Sequence, residues 1–219
     1  MLRGSQIILS EDVEKCIREK EGEGKTALLL SHDNIVCGVI CVADIVREGS
    51  IEAISSLKKL GFDAPIMLTG DNPRTANAIA SALGIKNVMA QLLPEDKLNK
   101  IKELASEGRR VLMVGDGIND APALAQAHVG IAMGAVGSAA AIEASDVALM
   151  RDEWKQIPEA VTIGRKTFSI IKQNLAIGII FNLVGITLAS TGILSPVMAA
   201  VAHVMPDVLV FLNSSRLLK

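Results

Sequence analysis

Two groups of residues have types and spacings that suit chemistry. Gly115-Asp116-Gly117 follows the apolar run Val111–Val114, and Asn119 and Asp120 come next, where the pattern turns helical. A short buried strand ending in Gly-Asp-Gly presents its carboxylate at the carboxyl edge of a parallel sheet, where open α/β sheets bind ligands. Gly115 and Gly117 permit a tight turn and a close backbone approach to a phosphate. Asp116 and Asp120 flank the helix start, and their hard oxygens suit Mg²⁺. The same string also reads as a plain Gly-Asp turn with Asn119 or Asp120 as the helix cap. In the second group, His203 and Asp207 lie four apart on one helix face, with Met205 beside them and a kinking Pro206, and Asn182 sits inside the preceding apolar run. Imidazole, carboxylate and thioether suit different transition metals, and ionisable groups within a span are functional candidates. A hydrogen-bonded His–Asp pair that holds two helices together uses the same residues.

The elements that position these groups follow from the pattern. From Glu48 onward helices at 48–60, 72–83, 95–107, 119–127 and 138–144 alternate with strands at 64–69, 87–90, 110–114, 129–132 and 146–149. That alternation predicts a parallel α/β sheet with flanking helices. Gly61, Gly84 and Gly108 stand where helices stop. Upstream, a helix over Glu11–Lys20 precedes strand-like runs Thr26–Ser31 and Ile35–Ala43, joined at His32-Asp33-Asn34, which predicts a hairpin. Such a hairpin makes no core alone.

Composition points to a membrane. Half of the 219 residues are hydrophobic, yet only four Phe and one Trp are aromatic and there is no Tyr; mean hydropathy is +0.40. Residues 173–202 contain no Asp, Glu, Lys or Arg. Spans are expected at about 174–193 and 197–213, with Thr191–Pro196 as the turn. Arg165, Lys166 and Lys172 precede this pair and Arg216 and Lys219 follow it, so both ends are expected in the cytoplasm. A net charge of −2 gives no ground for a nucleic-acid partner. Cys16, Cys37 and Cys41 form no CxxC pair and read as reduced core residues rather than metal ligands.

The string Val111–Leu124, VLMVGDGINDAPAL, resembles the hinge signature of P-type ATPases, which also marks the haloacid-dehalogenase-like phosphoryl-transfer fold. Thr69-Gly70-Asp71, after Ile66-Met67-Leu68, and Pro94-Glu95-Asp96-Lys97 match two further motifs in the family's order. The resemblance covers the whole chain, and the ending Leu212–Leu218 resembles the last helix of the heavy-metal (type IB) branch. It implies a three-part organisation: the end of a nucleotide-binding domain at 1–43, a phosphorylation domain at 44–153, and a linker helix with two membrane helices at 154–219. Asp44-Ile45-Val46-Arg47 resembles the hinge between the first two parts. The resemblance further implies that Asp116 coordinates Mg²⁺ with Asn119 and Asp120 shaping that site, and that Thr69 bonds a phosphoryl oxygen. Gly70 would admit backbone N–H groups, Asp71 would place nucleotide and Mg²⁺, and Lys97 would bring an ammonium to the phosphoryl group. Gly4 matches a glycine near the adenine pocket.

The same resemblance implies an ATP-driven exporter of copper, zinc, cadmium, cobalt or a similar metal in the cell membrane. Its partners would be lipid and the rest of the pump, namely the actuator domain and the other membrane helices. The phosphorylated Asp of an Asp-Lys-Thr-Gly-Thr motif does not occur in these 219 residues, nor do the actuator's Thr-Gly-Glu or a Cys-Pro-Cys-like motif. The chain alone is therefore expected not to form the phosphoenzyme. A membrane-anchored phosphatase of the same fold, or a non-catalytic truncated pump, are the rival readings. His203 stands ten residues before Asn213, where copper pumps tend to carry Met, zinc and cadmium pumps Asp, and a cobalt-like group His. The following Val204-Met205-Pro206-Asp207 departs from the cobalt-like pattern, Phe181 replaces the Tyr of the copper pumps' Tyr-Asn pair, and the zinc group's intramembrane Lys is absent. His128 stands where the family usually has Asp.

Overall fold

The computed structural model describes residues 9–32, 35–43, 46–115, 118–134 and 139–218. Chain contacts divide it into two units, the first ending at Pro158 and the second beginning at Glu159.

The first unit opens with α1 (Glu11–Gly22), whose start is capped by Ser10 accepting from the Val13 amide and carries Glu11, Asp12 and Glu14 in its first turn. Next come β1 (Lys25–His32) and β2 (Ile35–Ala43), an antiparallel hairpin with an irregularity at Leu30/Ser31. The connecting Asp33-Asn34, like the hinge residues Asp44 and Ile45, lies outside the described residues. Cys37 and Cys41 are exposed rather than core. A two-stranded sheet has too little second layer to bury both of its faces.

Helices and strands then alternate: α2 (Ser50–Lys59), β3 (Ile66–Leu68), α3 (Pro73–Leu83), β4 (Asn87–Met89), α4 (Pro94–Ser106), β5 (Leu112–Gly115), α5 (Ala121–Gln126), β6 (Val129–Met133), α6 (Ala139–Ala144) and β7 (Val147–Leu149). The helix expected over 119–127 is a 3₁₀ turn at Ile118–Asp120 followed by α5. From β3 onward the strand pairs are parallel, as βαβ crossovers require. They form two groups, β3 beside β4 and β5-β6-β7, with no ladder between β3 and β5 among the described residues. Leu68 of β3 nevertheless packs on the cluster of Ile101, Met113, Ala123, Leu124, Ala132 and Ala141. On the sheet's other side Ile131, Met133 and Ile157 form a second cluster, covered in part by Trp154. Gly130 is required where β6 passes α5, because a Cβ there would lie 2.6 Å from the Leu124 carbonyl oxygen.

In the second unit, α7 (Gln156–Ser190) starts before the unit boundary, so the apolar helix is longer than the expected span and stops three residues earlier. A turn leads to α8 (Pro196–Ser214), with Pro206 in its interior. Both helices are long and apolar enough to cross a membrane. At their shared polar end Asn213 Nδ2 donates to Asn174 Oδ1 (2.9 Å) and Gln173 Oε1 (3.2 Å), Asn174 Nδ2 donates to Ser214 Oγ (2.9 Å), and Arg216 donates to Asn213 Oδ1 (3.0 Å).

Candidate phosphate-binding site

β3 delivers Thr69 to its carboxyl end. The Thr69 amide donates to Met89 O (3.0 Å), which continues the β3–β4 pairing by one residue. The chain then turns through Gly70 and Asp71 in a loop closed on itself: Thr69 Oγ1 donates to Asp71 Oδ2 (2.7 Å) and accepts from the Asp71 amide (3.1 Å). Thus the Thr69 hydroxyl proton is engaged by Asp71. A Cβ on Gly70 would stand 3.4 Å from Leu92 O, so the loop lies close against the segment after β4. That segment holds it from behind, with the Gln91 amide on Asp71 O (2.8 Å) and the Leu92 amide on Thr69 O (3.0 Å). Gln91 adopts φ +57°, the only non-glycine residue with positive φ among the described residues. A left-handed backbone at a residue with a Cβ costs energy and persists where its surroundings over-determine it.

The same segment runs into α4, where Asp96 accepts from the Leu93 amide (2.9 Å) and fixes the first turn. That turn carries Lys97. Its ammonium donates to Asp120 Oδ1 at 2.7 Å, and the two side chains are only 15% and 13% exposed. Asp120 therefore serves as an ion-pair partner and caps no helix, for it makes no side-chain cap bond to α5. Gly115 has a definite reason: a Cβ there would come within 2.9 Å of Asp120 Cβ and 3.0 Å of its Oδ2. Its missing side chain makes room for the Asp120 carboxylate. Asn119, in the 3₁₀ turn, is exposed.

Asp116, Gly117 and Gly4 lie outside the described residues. Asp120 fits the expectation of Mg²⁺ by chemistry, as a hard carboxylate in the turn directly after β5. In the second unit Asn182, His203, Met205 and Asp207 are exposed on α7 and α8. No hydrogen bond joins His203 to Asp207, and no three His, Cys, Asp or Glu side chains gather into a metal-holding group among the described residues. Three features were not foreseen. One is the Gln91 backbone, for which Ala90-Gln91-Leu92 carries no signal. Another is Thr75, fully buried in the first turn of α3. The last is the ion pair of Arg47 with Asp152 (2.7 Å), which spans 105 residues.

Thr69 at the carboxyl end of β3, Asp120 in the turn after β5 and Lys97 of α4 bonded to Asp120 are residue types that suit phosphate handling. The haloacid dehalogenase-like hydrolase profile matches residues 3–128, more than half of the chain. The chain belongs to that family. Within it, this haloacid dehalogenase-like chain is 44% identical over 209 residues to a probable cadmium-transporting ATPase of Alkalihalophilus pseudofirmus, covering 95% of this chain and 29% of that protein. It is 46% identical over 203 residues to a copper-exporting P-type ATPase of Bacillus subtilis, covering 93% of this chain and 25% of that one. The crystal structure of a zinc-transporting PIB-type ATPase in the E2.Pi state superposes with a TM-score of 0.81 at 37% identity, over 96% of this chain and 34% of that structure. The chain thus spans about a quarter to a third of the length of these three proteins.

Proposed function

We propose that the chain is the phosphoryl-handling and final membrane portion of an ATP-driven heavy-metal exporter that works through an aspartyl-phosphate. The observation that carries this reading is the sequestered Lys97–Asp120 pair, on the helix that directly follows the segment bonded to the self-closed Thr69–Asp71 loop. In this reading residues 1–43 end the nucleotide-binding domain, 44–153 form the phosphorylation domain, and 154–219 contribute a linker and two spans. Thr69 and the Gly70 backbone hold phosphoryl oxygens, Lys97 offsets their charge, and Asp71 orients the nucleotide. Asp116 and Asp120 hold Mg²⁺, which when bound neutralises charge on the transferred phosphate. The acceptor Asp comes from a segment beyond these 219 residues. The unladdered edges of β3 and β5 support that assignment, since a strand paired to both would bring its own carboxyl end between the two loops. His203 and Asp207, with Asn182 and Met205, face the transported copper, zinc, cadmium or cobalt. The charge distribution around the spans supports a cell-membrane protein with the catalytic part in the cytoplasm.

The test uses the native protein that carries this chain, in its own membranes. Incubation with radiolabelled Mg-ATP is expected to give a hydroxylamine-sensitive phosphoprotein whose turnover rises with one of these metals. Asp120→Ala should abolish turnover, and His203→Ala should weaken metal stimulation with labelling retained. Absence of ATP-dependent labelling, or turnover indifferent to every metal, overturns the proposal.

A further inference from the structure

Thr75 is 0% exposed, and with Ser50 it is one of two fully buried polar residues in the core among the described residues. Its hydroxyl has one proton to give. Several helical serines and threonines of this chain spend theirs on the carbonyl three or four residues back in their own helix, as Ser106 does on Glu103 O (2.7 Å), Thr187 on Leu183 O (2.8 Å) and Ser190 on Thr187 O (2.9 Å). Thr75 instead donates to the Lys25 carbonyl oxygen at 3.1 Å, fifty residues away at the base of β1. Its lone pair accepts from Asn72 Nδ2 at 3.0 Å. Asn72 is the residue directly after Asp71, and it caps α3 by accepting from the Arg74 and Thr75 amides at 3.0 Å each. An unbroken chain of bonds therefore runs from the β1 base through Thr75 and Asn72 into the Thr69–Asp71 loop.

The same turn of α3 makes a second link, since Arg74 pairs with Glu21 of α1 at 2.9 Å. A third contact is steric: a Cβ on Gly24 would stand 3.6 Å from Ala78 Cβ and 3.9 Å from Ile79, so the α1–β1 corner lies flush on α3. The loop's other side is fixed by Gln91 and Leu92. Its placement is thus decided by two anchors, one within the parallel-strand unit and one on the α1–β1 corner.

We propose that Thr75 is a positioning residue that couples the nucleotide-bearing segment to the phosphate loop, so that the loop is aligned for transfer from ATP when the α1–β1 corner is seated on α3. This rests on the function proposed above. The coupling matters only when phosphate arrives on a nucleotide. Phosphorylation by inorganic phosphate uses the loop without the nucleotide-bearing segment.

The experiment compares Thr75→Val and Thr75→Ser with wild type in the native, full-length protein, labelled either from Mg-ATP or from Mg²⁺ and inorganic phosphate. Valine keeps the shape and deletes both bonds. Its labelling from ATP, measured as kcat/KM, is expected to fall about tenfold, the size of one buried hydrogen-bond network opened. Labelling from inorganic phosphate should stay within about twofold, and serine should restore the ATP route. A parallel fall in both routes makes Thr75 a folding residue and overturns the coupling, as does unchanged ATP labelling. Wild type that takes phosphate from neither donor overturns the underlying function instead, which separates the two failures. Arg74→Glu with Glu21→Arg provides the second variant: the single changes should impair the ATP route and the pair should recover it, and failure to recover argues against seating of the corner.

Discussion

Replacing Lys97 with Met would test how strongly the first turn of α4 is tied to the turn after β5. The ammonium sits 2.7 Å from Asp120 Oδ1, with both side chains about six-sevenths buried. Breaking a fully buried pair from one side costs about 3–5 kcal/mol because a carboxylate is left uncompensated, whereas an exposed pair is worth about 0–1 kcal/mol. The residual exposure here admits some water, so we expect about 2 kcal/mol. Met keeps an unbranched stem of similar length, which leaves charge and hydrogen bond as the main difference. Urea unfolding in detergent can be followed at Trp154, the single tryptophan, which covers the Ile131–Met133–Ile157 cluster. With a slope of about 2 kcal/mol per molar, the midpoint should fall by about 1 M at unchanged slope. Asp120→Asn in the Lys97→Met background should recover part of the loss, since no uncompensated charge then remains. A midpoint within about 0.2 M of wild type would mean that solvent screens the pair, and the reasoning would be refuted.

Two further expectations concern the ends of the chain. Glu23 accepts from Lys20 (2.8 Å) and Lys25 (2.6 Å), and the Lys20 hydrogen bond, then that of Lys25, lowers its pKa to about 2. A depressed carboxylate stabilises the fold above its unfolded value near 4.5, and this contribution is lost as pH falls from there toward 2. Carboxyl carbon NMR should show that low midpoint, and Lys20→Gln should move it upward. In the second unit, Asn213→Asp keeps the acceptor for Arg216 and turns the donors toward Gln173 and Asn174 into acceptors. Losing about 0.6–1.7 kcal/mol per intramembrane hydrogen bond should loosen that end of the helix pair. Spin labels at Lys172 and Leu217 in nanodiscs should report a broader separation, and an unchanged distribution would assign the clasp no structural weight.

The strand–helix order was legible because hydrophobic runs, glycine stops and caps are local signals. Asn72 before Pro73, and Gly84 at φ +67°, behave as their residue types predict. What sequence pattern leaves out is which side chain spends its single proton where. Lys97 reads as a phosphate ligand and Asp120 as a cap or metal ligand, and their 23-residue separation says nothing of a 2.7 Å contact. Thr75 looks like a first-turn helix residue, and its bond to Lys25 O depends on where the α1–β1 corner packs. The separation of β3 from β5 was hidden for a similar reason, since alternation predicts parallel pairing without naming neighbours. Cysteines 37 and 41 were misread because a strand pattern implies a covering layer, and the hairpin has exposed surface on both.

That hairpin also sets a gradient of stability along the chain. Its strands are eight and nine residues long, longer than any strand in the parallel sheets, and Leu28, Leu30, Ile40 and Val42 stand exposed along one face. By contrast β6 is buried from Gly130 to Met133. Local opening is cheapest where few apolar contacts are lost, so β1 and β2 are expected to exchange, or to add strands to another open edge, while the β5–β7 core stays closed. Within the first unit, opening is therefore expected to begin at that hairpin rather than at the β5–β7 core.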